Sequence, residues 1–283
     1  GKKSNNISDN DYTVWSSVVN SYLTENSNNT FTRVEYISDK VVVETFDTKT
    51  GKRKNRKTLK TELPYFGGFF SGSKYNYIVY GKSNWKQKDK TEVLRIVKYS
   101  KNFKRIGSVS VKGANTYMPF SAGSLRMAEA NGKLYIHTCH MMYGDGDYYT
   151  AHHQANMTYV VNESLMKVEQ SYYDVMNIAQ AGYVSHSMNQ FIQADDKYLF
   201  RVDHGDGEPR AVSLTRCELD GKITDVRYTL PLSIGGGYGD NNTGVSVGGF
   251  ELSSDSCLIA GNSVPQGNKF KGTDKQRNIF VTV

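Results

Sequence analysis

Apolar residues along this chain come in short runs of about four to eight, each bounded by a polar or glycine-containing turn, which is the pattern of β-strands rather than of amphipathic helices. The runs also repeat. Tyr75-Asn-Tyr-Ile-Val-Tyr-Gly81, Lys133-Leu-Tyr-Ile-His-Thr-Cys139, Lys197-Tyr-Leu-Phe-Arg-Val-Asp203 and Ser256-Cys-Leu-Ile-Ala-Gly-Asn262 align on Tyr77, Leu134, Tyr198 and Leu258, so successive markers lie 57, 64 and 60 residues apart. Each marker run follows another across a short turn, over 68–72, 124–129, 185–192 and 247–252. Each precedes a third across a longer polar loop, over 92–99, 155–161, 211–217 and 278–283. A fourth run follows at 105–111 and 223–230. Four meandering strands per repeat of roughly 60 residues make a propeller blade.

The first repeat is less regular. Candidate strands cover 19–23, 31–37, 40–46 and 56–63, while 14–23 also fits a helix. The expected fold is therefore an all-β, five-bladed β-propeller with four strands per blade, its last blade stopping at a third strand. An open sheet edge invites pairing with another chain, so closure is expected either from the N-terminus or from chain beyond Val283. No Pro/Gly/Ser-rich linker divides residues 12–283, which are read as one domain. Residues 1–11 form a polar lead, read as a disordered segment or the remnant of a tag or leader.

Composition adjusts this picture only at the margins. Twenty Tyr and 12 Phe against 5 Pro suit many short strands. No apolar run approaches the ~20 residues of a membrane-spanning helix, so no transmembrane segment is expected. The net charge of +7 raises the question of nucleic acid. Much of that excess sits between Lys49 and Lys60, where no aromatic residue interleaves to stack on bases, so a solvated hairpin is expected and no nucleic-acid partner. Cys139, Cys217 and Cys257 form no Cys-x-x-Cys pair and read as small buried hydrophobes.

In a propeller, the loops between blades and the loops joining second to third strands open on one face. That places Arg126, His137, His140, His153, His186, Asp203, His204, Asp206, Arg210 and Tyr238 on or near a common rim, the usual place for function on a rigid scaffold. Each has a plainer reading. Asp203 and Asp206 could offer carboxylate oxygens to Ca²⁺, but the run supplies few of the six or more that ion takes, and Asp side chains capping a turn use the same residues. No cofactor is otherwise expected. His137 and His140, three apart on a strand, face opposite sides and do not chelate one ion without a bend. Arg126 and Arg210 could clamp an anionic ligand or tie neighbouring blades. The loop tyrosines Tyr143, Tyr148, Tyr149 and Tyr238 could stack on sugar faces.

Five stretches taken together, Asn115 to Met127, His137-Thr-Cys-His140, His153-Gln-Ala-Asn156, Tyr183 to Phe191, and Asp203-His-Gly-Asp206 with Pro209-Arg210, resemble a family of secreted propeller domains in large surface proteins of Gram-positive anaerobic bacteria. The resemblance implies an extracellular location, neighbouring modules in a larger surface protein and no defined activity. Where the family pattern has an acidic residue after the second histidine of its His-Thr-Cys-His run, this chain has Met141, so a metal ligand at that position would be lost.

Three functions follow as expectations. The first is a non-catalytic recognition module binding a glycan or other extracellular ligand across the rim. The second is a glycoside hydrolase, which needs two carboxyl groups about 5–9.5 Å apart, with Asp203 and Asp206 as the pair. The third is a structural propeller whose polar motifs serve blade packing.

Overall fold

The computed structural model describes residues 19–121, 123–144, 152–174, 187–205, 210–234, 245–263 and 278–283. They form twenty strands and no helix, hence no helix long and apolar enough to cross a membrane. The strands group in chain order into the blades of a five-bladed propeller. Blade 1 holds β1 (Ser21–Asn26), β2 (Thr30–Ile37), β3 (Lys40–Asp47) and β4 (Arg53–Leu59). Blade 2 holds β5 (Tyr65–Ser71), β6 (Tyr75–Gly81), β7 (Glu92–Ser100) and β8 (Arg105–Lys112). Blade 3 holds β9 (Thr116–Pro119), β10 (Arg126–Ala130), β11 (Lys133–Met142), β12 (Gln154–Asn162) and β13 (Lys167–Tyr172). Blade 4 holds β14 (Ser187–Ala194), β15 (Tyr198–Gly205), β16 (Ala211–Glu218) and β17 (Arg227–Ser233), and blade 5 holds β18 (Ser246–Leu252), β19 (Cys257–Ser263) and β20 (Asn278–Thr282).

All pairings are antiparallel and, apart from β9 with β11, follow chain order, so each blade is a meander. Of the stretch 14–23 that also fits a helix, residues 14–18 lie outside the described residues and 21–23 are strand: β1 pairs with β2 from Ser21↔Glu35 to Asn26↔Thr30. The middle strands carry the apolar content because both their faces are covered by neighbouring blades, whereas β4 exposes six of its seven residues. A basic outermost strand, Arg53-Lys-Asn-Arg-Lys57, is a standard way of keeping a sheet edge from pairing with another molecule.

Side-chain alternation along each middle strand sends one set of residues to the blade before and the other to the blade after. On β11, Leu134 and Ile136 join the cluster shared with Tyr77, Val79, Leu94 and Ile96 of blade 2, while Tyr135 joins Leu199 and Ile192 of blade 4. Further apolar clusters bind blades 1 and 2 around Val34, Phe69 and Tyr80, and blades 4 and 5 around Val202, Phe250 and Ile259.

Blade 3 departs from the regular pattern. The position of its innermost strand is filled by two pieces, β9 pairing with the upper end of β11 (His140↔Pro119) and β10 with the lower (Arg126↔His137). Between them the chain turns out at Phe120, whose φ is +63°. The tip of its ring comes up against Gly67 and Gly81 in blade 2, where a Cβ on Gly81 would sit 2.5 Å from Phe120 Cε2 and 2.8 Å from Pro119. Glycine at these positions is what admits the ring.

Candidate functional site

Around blades 2 and 3, loops expected to share a face do meet. Asn84 N–H, in the loop joining the second and third strands of blade 2, donates to the carbonyl of Tyr117 in the passage between blades 2 and 3, at 2.8 Å. Tyr143 N–H, in the equivalent loop of blade 3, donates to the carbonyl of Asn115 at 3.1 Å. Those three segments knit into one surface. Asn84 is its hub: fully interior, it donates from Nδ2 to the Tyr143 hydroxyl (2.8 Å) and the Lys88 carbonyl (3.1 Å), and its Oδ1 accepts from Lys88 N–H (3.0 Å). The Gln87 side chain accepts from Gly144 N–H at 2.7 Å.

On this base stands an aromatic stack. The His152 ring lies parallel to Tyr117 at 3.7 Å between centroids, fixed by an Nδ1 hydrogen bond to the Met142 carbonyl at 2.8 Å. Tyr117 in turn meets the ring of Trp85 edge to face at 4.9 Å. Trp85 stays 55% exposed, so much of its ring faces solvent.

The polar residues picked out by sequence lie mostly deeper than a rim. His137, His140, Asp203 and His204 are at most 1% exposed. His137 and His140 do face opposite sides of β11. His137 reaches blade 4, with Nε2 2.8 Å from Asp203 Oδ1 and Nδ1 2.9 Å from the Thr158 hydroxyl. Arg201, 1% exposed, donates to that same hydroxyl (3.0 Å) and to the Ile223 carbonyl (2.7 Å), completing a polar chain across the blade 3–blade 4 boundary. His140 turns the other way, its Nδ1 2.8 Å from the hydroxyl of Thr116, at the start of β9 in the same blade. Burial pushes its imidazole down to about 3, opposed weakly by the backbone of Tyr173. His204 is likewise pushed to about 3, by burial first and then by the Arg210 charge.

Arg126 leans from blade 3 over the Phe191 ring of blade 4 at 5.1 Å, and burial lowers its pKa against the opposing influence of Tyr22 from blade 1. Arg210 is half-buried beside His204, and His153 is exposed on the face that carries the stack. His186, Asp206 and Tyr238, with Tyr148 and Tyr149, lie outside the described residues. Cys139 and Cys217 are interior, while Cys257 is only partly so. Among the described residues, no three His, Cys, Asp or Glu side chains converge closely enough to hold a metal ion.

Asp203, one of the two carboxylates expected for hydrolysis, has another partner, and so has Glu129, which lies away from the rim. Asp203 is bonded to His137, and Glu129 accepts from Ser73 N–H (2.6 Å) and the Ser73 hydroxyl at the turn between β5 and β6, on the opposite face. A polar groove of about 670 Å³ opens on that opposite face between blades 1 and 2, lined by Asn26, Thr32, Asn76 and Phe103 among others. From sequence, Asn84 is expected only as one of the polar residues that serve blade packing, and Trp85, in the same loop joining second to third strand, has no expected role. The available signal was one tryptophan in an otherwise polar, lysine-rich segment.

No protein-family model and no curated protein matches the chain. Among solved structures it is similar to cobalt-substituted apocarotenoid oxygenase from Synechocystis, at 10% identity and a TM-score of 0.45, covering 87% of this chain and 58% of that one. It is similar also to hydrazine synthase from Kuenenia stuttgartiensis, at 11% identity and a TM-score of 0.46, covering 89% and 59% respectively. The chain thus spans about three-fifths of the length of those structures. A likeness at this level carries no argument about activity.

Proposed function

We propose that this propeller is a non-catalytic recognition module of an extracellular bacterial surface protein, binding a glycan on the face where the loops between blades meet the second-to-third-strand loops. The observation that carries this reading is the exposed ring of Trp85, which meets Tyr117 edge to face, Tyr117 being itself stacked on His152. A flat aromatic surface with hydrogen-bonding groups at its edge suits a sugar ring, whose faces are apolar and whose rim is polar. Hydrolysis is the weaker reading, because Asp203 is enclosed and bonded to His137 rather than offered to a scissile bond. The packing role has support for one subset of residues: His137, Thr158, Arg201 and Asp203 tie two blades together.

A glycan array run in parallel with a reducing-end assay tests the proposal. Binding without release of reducing ends is the expected result, and Trp85→Ala should weaken the bound signal while leaving the melting temperature within about 1 °C, as for exposed substitutions generally. Release of reducing ends that Asp203→Ala removes would give the site to an enzyme instead.

A further inference from the structure

The loop that presents Trp85 is also strongly and locally basic. Between Lys82 and Lys90 the chain reads Lys-Ser-Asn-Trp-Lys-Gln-Lys-Asp-Lys, and Lys82, Lys86, Lys88 and Lys90 are all exposed. None of the four forms an ion pair with a described residue. The one carboxylate in the segment, Asp89, is turned toward the Tyr143 hydroxyl, whose pKa is raised by burial first and by Asp89 second. Asn84 ties this loop at both ends, so the ammonium groups are carried on a frame that is already ordered.

We propose that loop 82–90 takes an acidic sugar unit of a polysaccharide, the Trp85 ring lying on the pyranose face and the lysines at positions 86, 88 and 90 holding its carboxylate or sulfate. This rests on the glycan-binding reading and assigns its site and the charge of its ligand. The geometry favours a short anionic unit over the two other polyanions a basic aromatic loop could meet. A nucleic acid strand is bound along a basic groove with successive stacking rings, whereas here one exposed ring and four exposed lysines share a single short loop. A lipid surface takes up a side chain that projects freely, whereas the Trp85 ring is anchored edge-on to Tyr117.

Affinity electrophoresis of the full chain through gels containing hyaluronate, heparin or neutral dextran tests this, with Trp85→Ala and a Lys86→Gln/Lys88→Gln/Lys90→Gln variant alongside. Retardation by hyaluronate or heparin but not dextran is expected, weakened on the order of tenfold by either variant, a loss of about 1.4 kcal/mol. The lysine variant should also lose most of the salt dependence. Retardation by dextran that needs Trp85 but not the lysines overturns the acidic assignment and leaves glycan recognition standing. Retardation by the acidic polymers that neither variant changes overturns loop 82–90 as the site. Failure of every polysaccharide, with Trp85-dependent binding to an oligothymidylate or to phosphatidylserine-containing vesicles, overturns both readings.

Discussion

Asp203 illustrates how a polar residue in a propeller acquires its role from the neighbouring blade. On its own strand it is one more alternating position. Across the boundary it meets His137, and through Thr158 the contact extends to Arg201. Truncating one member of a buried hydrogen-bonded pair leaves the other without its partner, so Asp203→Ala should lower stability by about 1–3 kcal/mol, read from denaturant unfolding. Binding at the Trp85 face should survive in the folded fraction.

His140 and His204 make the fold sensitive to acid. Unfolded, each imidazole takes up a proton near its ordinary value of 6.5; folded, each does so only near 3. Between those values the unfolded chain binds more protons, so stability falls as pH descends from 6.5 toward 3, by about 1.4 kcal/mol per pH unit for each histidine. Melting curves at pH 7 and pH 4.5 should show this, and His140→Asn should make the difference between the two smaller.

At the scale of elements, the split first strand of blade 3 is the feature with the sharpest mechanical requirement. Phe120 fills the space left by Gly67 and Gly81, and a methyl group at Gly81 forces that ring or the strand itself to move. Gly81→Ala should cost about 1–3 kcal/mol, the usual range for overpacking. Removing the ring in a Phe120→Ala background should relieve part of that cost, so that the two changes are less than additive in thermal melts.

The same elements show what sequence could and could not reveal. Middle strands such as β7 (Glu92–Ser100) were legible to within a residue, because burial on both faces demands continuous apolar runs. The outer strand β13 passed unnoticed: in Lys-Val-Glu-Gln-Ser-Tyr no side chain is fully buried, so its pairing with β12 leaves no hydrophobic mark. β9 was read as a loop because four residues carry too little pattern and their partner, the upper end of β11, is remote in sequence. The site was less legible still. That Tyr117 would stack on His152, and His137 bond Asp203, depends on contacts 35 and 66 residues apart that no local spacing encodes. Charge and exposure then decided which loop stood out, and neither can be weighed for Trp85 before its surroundings are known.

At the scale of the whole molecule, four apolar clusters join blade 1 to 2, 2 to 3, 3 to 4 and 4 to 5. Among the described residues none spans blade 5 and blade 1, and β20 pairs with β19 alone, with Ile279 83% and Val281 58% exposed. Local opening is easiest where buried apolar contact is least. Amide exchange should therefore be fastest in β19 and β20 and slowest in β6, β7, β11 and β12, whose inward residues have almost no exposure. Uniform protection around the ring would show that the boundary between last and first blades is as firmly bonded as the rest.

That boundary also fixes how the domain would respond to tension. A pull on β1 and β20 drives apart two neighbouring sectors of a circle instead of stretching the assembly lengthwise, and the outer blades peel away while the middle three stay folded. Since Trp85 rides on the second blade, close to the part that yields last, a tethered protein of this design would keep its grip until late in forced unravelling.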